Sequence, residues 1–298
     1  MDDNTLRLIR KIKFFDNKDI NNIEKISSNK LKIEIGSKNY TLGLYPLDFY
    51  KDLDIEQKLE KYLDEAGVDV LKVYDLGILP DIDKSYKVFD YRKEMSLKEF
   101  LELADKNEAY KKGHELGKIL TKFHNIYIDD NQIDWYKEFN TKANYIMYMH
   151  GLMDKKGDKD YMLIDFINTN KHIAKNTAIN LIHSNLDLKN IRISENGIDL
   201  RGLKELKKGD GVIDFVLANE IAIDNPSFSY GMIMGYNNGN MPTRKFFKLL
   251  SLYQSYYLLE SIVNNHYNKD GRISKENIDK IYEMYDGFTR IIPLWAEY

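Results

Sequence analysis

The sequence predicts an α+β fold, with a small mixed β-sheet lobe over residues 1–92 and a larger, mainly helical lobe over residues 93–298. Two patterns lead there. Strand-like alternation broken by turn residues dominates the first part, with one helical stripe among it, and helical periodicity dominates the second. A third observation marks a junction where a ligand cleft is expected: a loop around His183 and two short apolar runs interrupt the helices. A chain of 298 residues has ample material for one large domain or two unequal ones.

Residues 1–20 read as a short helical lead. In residues 23–35, IEKISSNKLKIEI, Leu31, Ile33 and Ile35 alternate with Lys30, Lys32 and Glu34, the period of a half-buried strand. GSKN at 36–39 supplies turn residues, and YTLGLY at 40–45 returns as the partner strand of a hairpin. Residues 54–66 carry apolar positions 55, 59 and 63 on one helical face, with Asp54 as N-cap and Gly67 as C-cap. VLKVYDLGIL at 70–79 and SYKVFDY at 85–91 add two strands. Amphipathic helices follow over 96–104 and 108–125, capped by Ser96 and Asn107. A long helix over 131–150 is rich in Tyr and Met, aromatics expected to face the core. IRIS and GIDLRGL flank the turn at 195–197 as a hairpin, and 209–223, 242–264 and 274–292 are helical.

Composition narrows the function. With Lys+Arg at 44 and Asp+Glu at 47, the net charge of -3 provides no basic field for nucleic acid or an anionic membrane. Cysteine is absent, which excludes disulfides, thiolate catalysis and Cys-ligated zinc. The six His stand singly and form no zinc-binding spacing. The charged N-terminus does not read as a signal peptide and no apolar run is long enough to span a bilayer, so a cytoplasmic protein is expected.

The chemistry concentrates in NLIHSNLDLKNIRI, residues 180–193. It has the layout of a phosphotransferase catalytic loop, where a His precedes the catalytic Asp by two residues and a metal-binding Asn follows that Asp by five. His183 and Asn190 fit, but Asn185 stands at the Asp position. An amide hydrogen-bonds a hydroxyl without accepting its proton at neutral pH. Loss of a general base commonly removes about two to four orders of magnitude in rate.

With this loop the chain resembles the aminoglycoside phosphotransferase and choline kinase superfamily, whose fold is bilobal and protein-kinase-like. Ile26-Ser27-Ser28-Asn29 looks like that family's nucleotide loop, set between two strands. GKILTKFH, with Gly117, Leu120 and His124, resembles the helix before its catalytic loop; residues 135–148 and NPSFSYGMIMGYNNGNMPTRKFFKLLSLY follow in the family's order. The resemblance implies ATP and magnesium as cofactors, with Ser27, Ser28 and Asn29 at the nucleotide. It places Gly43 at the strand position of the family's phosphate-binding Lys or Arg, and leaves Lys38 as a solvated turn lysine. Glu56 or Glu60 is the helix acid that would pair with that cation, and in its absence either reads as solvated. Asp187 is either a substitute base or a cap of the following turn, and Ser184 replaces the usual Gly. The metal carboxylate is expected about a dozen residues beyond Asn190, on Gly202, Leu203 or Lys204, where there is no acid. Asp199 is the nearest substitute, and Asp214 falls on a later helix, after the Gly209-Asp210 turn.

Three functional readings follow. The preferred one is a catalytically impaired phosphotransferase homologue, a small-molecule pseudokinase that takes a nucleotide or small molecule in its interlobe cleft or meets a partner on its surface. The alternative is an active ATP-dependent enzyme phosphorylating an aminoglycoside- or choline-like hydroxyl. Asp187 would then be its base and Asp199 would join Asn190 on magnesium, with Asp210, Asp214, Glu220 and Asp224 meeting a cationic acceptor. The third is an interaction module that binds no nucleotide.

Overall fold

The computed structural model describes residues 3–127, 134–184, 186–267 and 271–297. The chain forms two compact units, one of Met1–Met95 with Arg192–Lys204 and one of Ser96–Ile191 with Glu205–Tyr298. The first is therefore discontinuous in sequence.

In the first unit α1 (Asp3–Arg10) leads into β1 (Ile20–Ser27), β2 (Lys30–Ile35), β3 (Lys38–Pro46), α2 (Tyr50–Glu65), β4 (Val73–Leu79) and β5 (Lys84–Asp90). The five strands form an antiparallel sheet of order β1-β2-β3-β5-β4. The run 23–35, read by its alternation as one strand, is two strands joined by a turn, as the resemblance implied by setting residues 26–29 between strands. Ser27 pairs with Lys30 across a tight turn, where the Ser27 hydroxyl donates to Asn29 Oδ1 at 3.0 Å. Helix α2 starts before Asp54, which lies inside it and bonds Lys58 at 2.7 Å instead of capping. The C-cap is Ala66 rather than Gly67, and Gly67, with φ of 77°, follows it in the left-handed conformation that ends the helix.

Sheet alternation separates two faces. Ile33, Leu42 and Val88 pack against Ile9, Ile12 and Phe15 of the lead segment in a fully buried cluster. Residues an odd number of positions away along each strand turn the other way. Lys30, Gly43 and Lys87 consequently form one row across β2, β3 and β5, since Gly43 is the register partner of both lysines.

The chain continues through β6 (Glu94–Ser96), α3 (Leu97–Leu103), α4 (Lys106–His124), α5 (Trp135–Gly151), α6 (Asp158–Asn170) and β7 (Asn180–Ile182). Then come the hairpin of β8 (Ile191–Ser194) and β9 (Gly197–Leu200), β10 (Lys207–Gly209), α7 (Val216–Ile221), α8 (Pro226–Tyr236), α9 (Arg244–His266) and α10 (Lys275–Met284). Ser96 caps α3 in a capping box with Glu99, as the sequence suggested. For α4 the cap is Asp105 rather than Asn107: Asp105 Oδ1 accepts from the backbone N–H groups of Asn107 and Glu108, both at 2.8 Å. Asp134 caps α5, and the expected start of that helix at 131–133 lies outside the described residues. Its inward face is Trp135, Phe139, Ala143, Ile146 and His150. Tyr145 and Tyr148 fall on the opposite side and are 57% and 63% exposed, so these aromatics do not face the core.

Two other expected helices are interrupted. Residues 209–223 end β10, form a 3-10 turn at Gly211–Phe215 and only then enter α7, because Asp210 caps the turn through Val212 N. Helix α10 stops at Met284, as Asp286, Gly287 and Phe288 all take left-handed backbone conformations. Helices α6 and α8 were not anticipated. Among the described residues no helix is long and apolar enough to cross a membrane.

Helices α4 and α8 approach unusually closely, and glycines on both sides permit it. A Cβ on Gly113 or Gly117 of α4 would come within 2.0 or 2.1 Å of the carbonyl oxygens of Phe228 or Met232. On α8, Gly231 and Gly235 stand at 2.2 and 2.0 Å from the carbonyls of Tyr110 and His114 by the same construction. No side chain fits at any of the four.

Candidate functional site

In the first unit the residue row beneath α2 carries the charge that β3 lacks. Lys87 on β5, 5% exposed, donates to Glu60 Oε1 of α2 at 2.8 Å, and Glu56 Oε2 lies 3.7 Å from its ammonium. The small lobe therefore does contain a buried lysine–glutamate pair, one strand away from Gly43. Glu60 is 9% exposed and is not the solvated helix residue expected from the sequence. Burial pushes its carboxyl up, opposed by the adjacent Lys87.

Gly43 itself leaves room for an aromatic ring. A Cβ there would meet the Tyr45 hydroxyl at 2.6 Å, so the Tyr45 ring covers the backbone where a β3 side chain would emerge. Tyr45, Lys87 and Glu60 line a cavity of about 320 Å³ together with Lys30, Arg201 and Lys204. Lys30 and Arg201 also border an adjoining cavity of about 140 Å³ that reaches the segment 90–94. Apolar walls come from Leu71 and Phe89, shared by both cavities. Ser27, Ser28 and Asn29 are exposed at the β1–β2 turn and line neither cavity.

The hairpin β8–β9 places Asp199 in this same unit. Asp199 is fully buried, its Oδ1 is ion-paired with Arg92, and Arg92 is held in turn by Asp69 at 3.0 and 3.1 Å. Its other oxygen, Oδ2, is buried without a hydrogen-bond partner among the described residues, and burial pushes the carboxyl up while Arg92 opposes. Magnesium requires octahedral oxygens and keeps several waters. A carboxylate with no accessible surface and one oxygen committed to a guanidinium does not fit that demand. Beyond β9 the chain continues as Arg201, Gly202, Leu203 and Lys204, where Arg201 pairs with Glu94 and Lys204 with Asp52 at 2.9 Å. Among the described residues no three His, Asp or Glu side chains group to hold a metal ion.

The second unit holds the loop. Asp214, 2% exposed, gathers it from below: the backbone N–H groups of His183 and Ser184 donate to its two oxygens at 2.8 and 3.0 Å, and His124 Nε2 lies 3.1 Å from Oδ2. Burial would raise this carboxyl, but the hydrogen bond and charge of His124, with the charge and backbone N–H of His183, hold it below the usual carboxylate range. Ser184 has φ of 61°, the left-handed conformation that explains why a glycine suits this position. Asp187 serves as a cap, accepting from Lys189 N at 2.9 Å and Asn190 N at 3.0 Å. Asn185 lies outside the described residues. Asp210 is buried and accepts from the Tyr253 hydroxyl at 2.7 Å, so neither it nor Asp214 is presented to an acceptor; Glu220 lies against Arg272, and only Asp224 of the four acids is exposed.

No protein-family model matches the sequence, and no curated protein matches it. Solved structures do match. Aminoglycoside phosphotransferase APH(4)-Ia, as a thermostable mutant in a ternary complex with ADP and hygromycin B, aligns over 93% of this chain and 97% of its own with a TM-score of 0.62 at 12% identity. The fold is that of the aminoglycoside phosphotransferases. Spectinomycin phosphotransferase APH(9)-Ia, in complex with ADP and spectinomycin, aligns over 96% and 97% with a TM-score of 0.55 at 15% identity. A choline/ethanolamine kinase family protein from Mesorhizobium loti aligns over 95% and 94% with a TM-score of 0.59 at 9% identity. The resemblance carried by the catalytic-loop sequence thus holds at the level of fold.

Within the aminoglycoside phosphotransferase fold the site residues named from the sequence divide between the units. Gly43 and Asp199 belong to the first, and Asp187 and Asn190 to the second. Sequence reasoning missed Lys87, whose signal was a lone lysine among Tyr86, Val88 and Phe89 in a strand with five consecutive buried positions. It also missed the work of Asp214. Chain distance hid it, since 31 residues separate it from His183.

Proposed function

We propose that this chain is a small-molecule phosphotransferase homologue that binds nucleotide in its first unit and is impaired in phosphoryl transfer. The observation that supports this most is the condition of the two substitute carboxylates. Asp187 is used as a turn cap and Asp199 is enclosed against Arg92, so neither is free for the base or metal duty that transfer requires. Nucleotide binding is supported by the cavity under α2, which combines apolar walls with lysine and arginine side chains and has the size of a small-molecule site.

A second reading, an active kinase, draws support from one observation. The Lys87–Glu60 pair supplies the cation and helix acid that phosphoryl transfer in this fold class employs. Thermal shift with ATP and magnesium, paired with an ADP-formation assay in the presence of aminoglycosides and of choline, separates the two. A rise in melting temperature without turnover supports the impaired protein. Turnover with any acceptor overturns it, and the absence of any shift removes nucleotide binding.

A further inference from the structure

The charges around the first unit's cavity are arranged in a way that magnesium-dependent binding does not require. Lys30 projects from β2 on one side of Gly43 and Lys87 from β5 on the other, both lining the same cavity. Lys87 is paired with Glu60 and Glu56, Arg201 with Glu94, and Lys204 with Asp52. Lys30 makes no ion pair among the described residues, and its ammonium stands 5.9 Å from the Phe89 ring centroid. Burial, then the charges of Arg201, Arg192 and Lys87 against the opposing pull of Glu94, hold it below the usual lysine range. Like charges crowded into a cavity destabilise one another, and an anion placed among them relieves that repulsion. The acids that line the cavity, Asp52, Glu56 and Glu60, are each already paired with a lysine, Asp52 with Lys204 and both glutamates with Lys87. The stretch after β9 offers Arg201 and Lys204, and Asp199 is enclosed.

Resting on the nucleotide-binding reading above, we infer that Lys30 and Lys87, flanking Gly43, with Arg201 across the cavity from the hairpin, hold the phosphate chain of a nucleotide without a divalent metal. Two lysines on neighbouring strands replace the single cation of β3, and arginine charge replaces that of the ion. Charge-assisted hydrogen bonds to phosphate oxygens supply the attachment. Because this attachment is ionic, binding weakens as salt rises.

Calorimetric titration of the full chain with ATP and with inorganic tripolyphosphate tests this, each in EDTA and in excess magnesium. The expected result is a dissociation constant in EDTA equal to or below that in magnesium. Lys30→Met should weaken the EDTA binding by about tenfold or more, and Lys30→Arg should restore it. The ligand-free Lys30→Met protein should melt no lower than wild type, since the crowded charge is gone; a purely structural lysine would instead lower the melting temperature. Binding that needs magnesium overturns the inference and leaves the nucleotide reading standing, and unchanged affinity in Lys30→Met overturns the assignment of Lys30. Phosphoryl transfer to an acceptor, read as ADP formation, overturns impairment while leaving the metal comparison to decide the inference. Failure of ATP and tripolyphosphate to bind under either condition overturns both.

Discussion

Lys87 shows how one side chain settles what a strand pattern leaves open. It is enclosed between the sheet and α2, and its removal leaves Glu60 buried without its cation. Breaking a buried ion pair by deleting one member costs about 3–5 kcal/mol, so Lys87→Met should lose about that much in urea-unfolding free energy at pH 7. Asp214 answers a different test, because its folded pKa lies below its unfolded value near 3.8. For a depressed carboxyl the stabilisation is fully present above the unfolded pKa and disappears as pH falls through the folded one. Asp214→Asn should therefore cost about 2 kcal/mol at neutral pH, with the gap between variant and wild type closing below about pH 4. Chemical denaturation across pH 3–7 measures it, and a gap that persists at pH 3 would remove the charge argument.

At the scale of elements, the α4–α8 crossing depends on what four glycines omit. Replacing Gly by Ala in a helix interior ordinarily gains about 1 kcal/mol in propensity. At Gly117 the new Cβ would sit 2.1 Å from Met232 O and 2.6 Å from Tyr236 N, both backbone atoms that move only if the helices separate. Gly117→Ala should lower the unfolding free energy by at least about 2 kcal/mol in spite of propensity. Gly151, at the end of α5, has nothing within 4 Å of where an added methyl would sit, and Gly151→Ala should be neutral or mildly stabilising by the same measurement. The strands teach a similar lesson. Alternation in residues 30–35 identified the inward side of β2 correctly, yet the row Lys30–Gly43–Lys87 exists only through the register of three strands.

At the scale of the whole molecule, the proposed impairment rests on several positions that the family resemblance assigns to catalysis. Asn185 is known from the sequence alone, whereas Gly43, at the β3 position where the resemblance expects the cation, and the enclosed Asp199 belong to the first unit. Correcting one group does not restore the others. Asn185→Asp alone should thus produce no magnesium-dependent ATP hydrolysis or transfer above background, measured by ADP formation with and without an acceptor. Substantial turnover from that single change would show that the remaining groups suffice and would return the chain to the active reading.

What the sequence determined by itself was the class of fold, because hydrophobic periodicity and the His183-to-Asn190 spacing are local properties written along the chain. Local chemistry likewise exposed the Ser96 cap and the hairpin at 195–197, while it left Asp187 between base and turn cap until the structure showed the capping bonds. Tertiary structure alone decided the charges. Whether Glu60 is solvated, whether Asp199 is open to an ion, and which lysine stands beside Gly43 all depend on burial and on neighbours distant in sequence. A carboxylate's role follows from its surroundings, and those surroundings come from strands and helices whose pairing no short stretch of sequence contains.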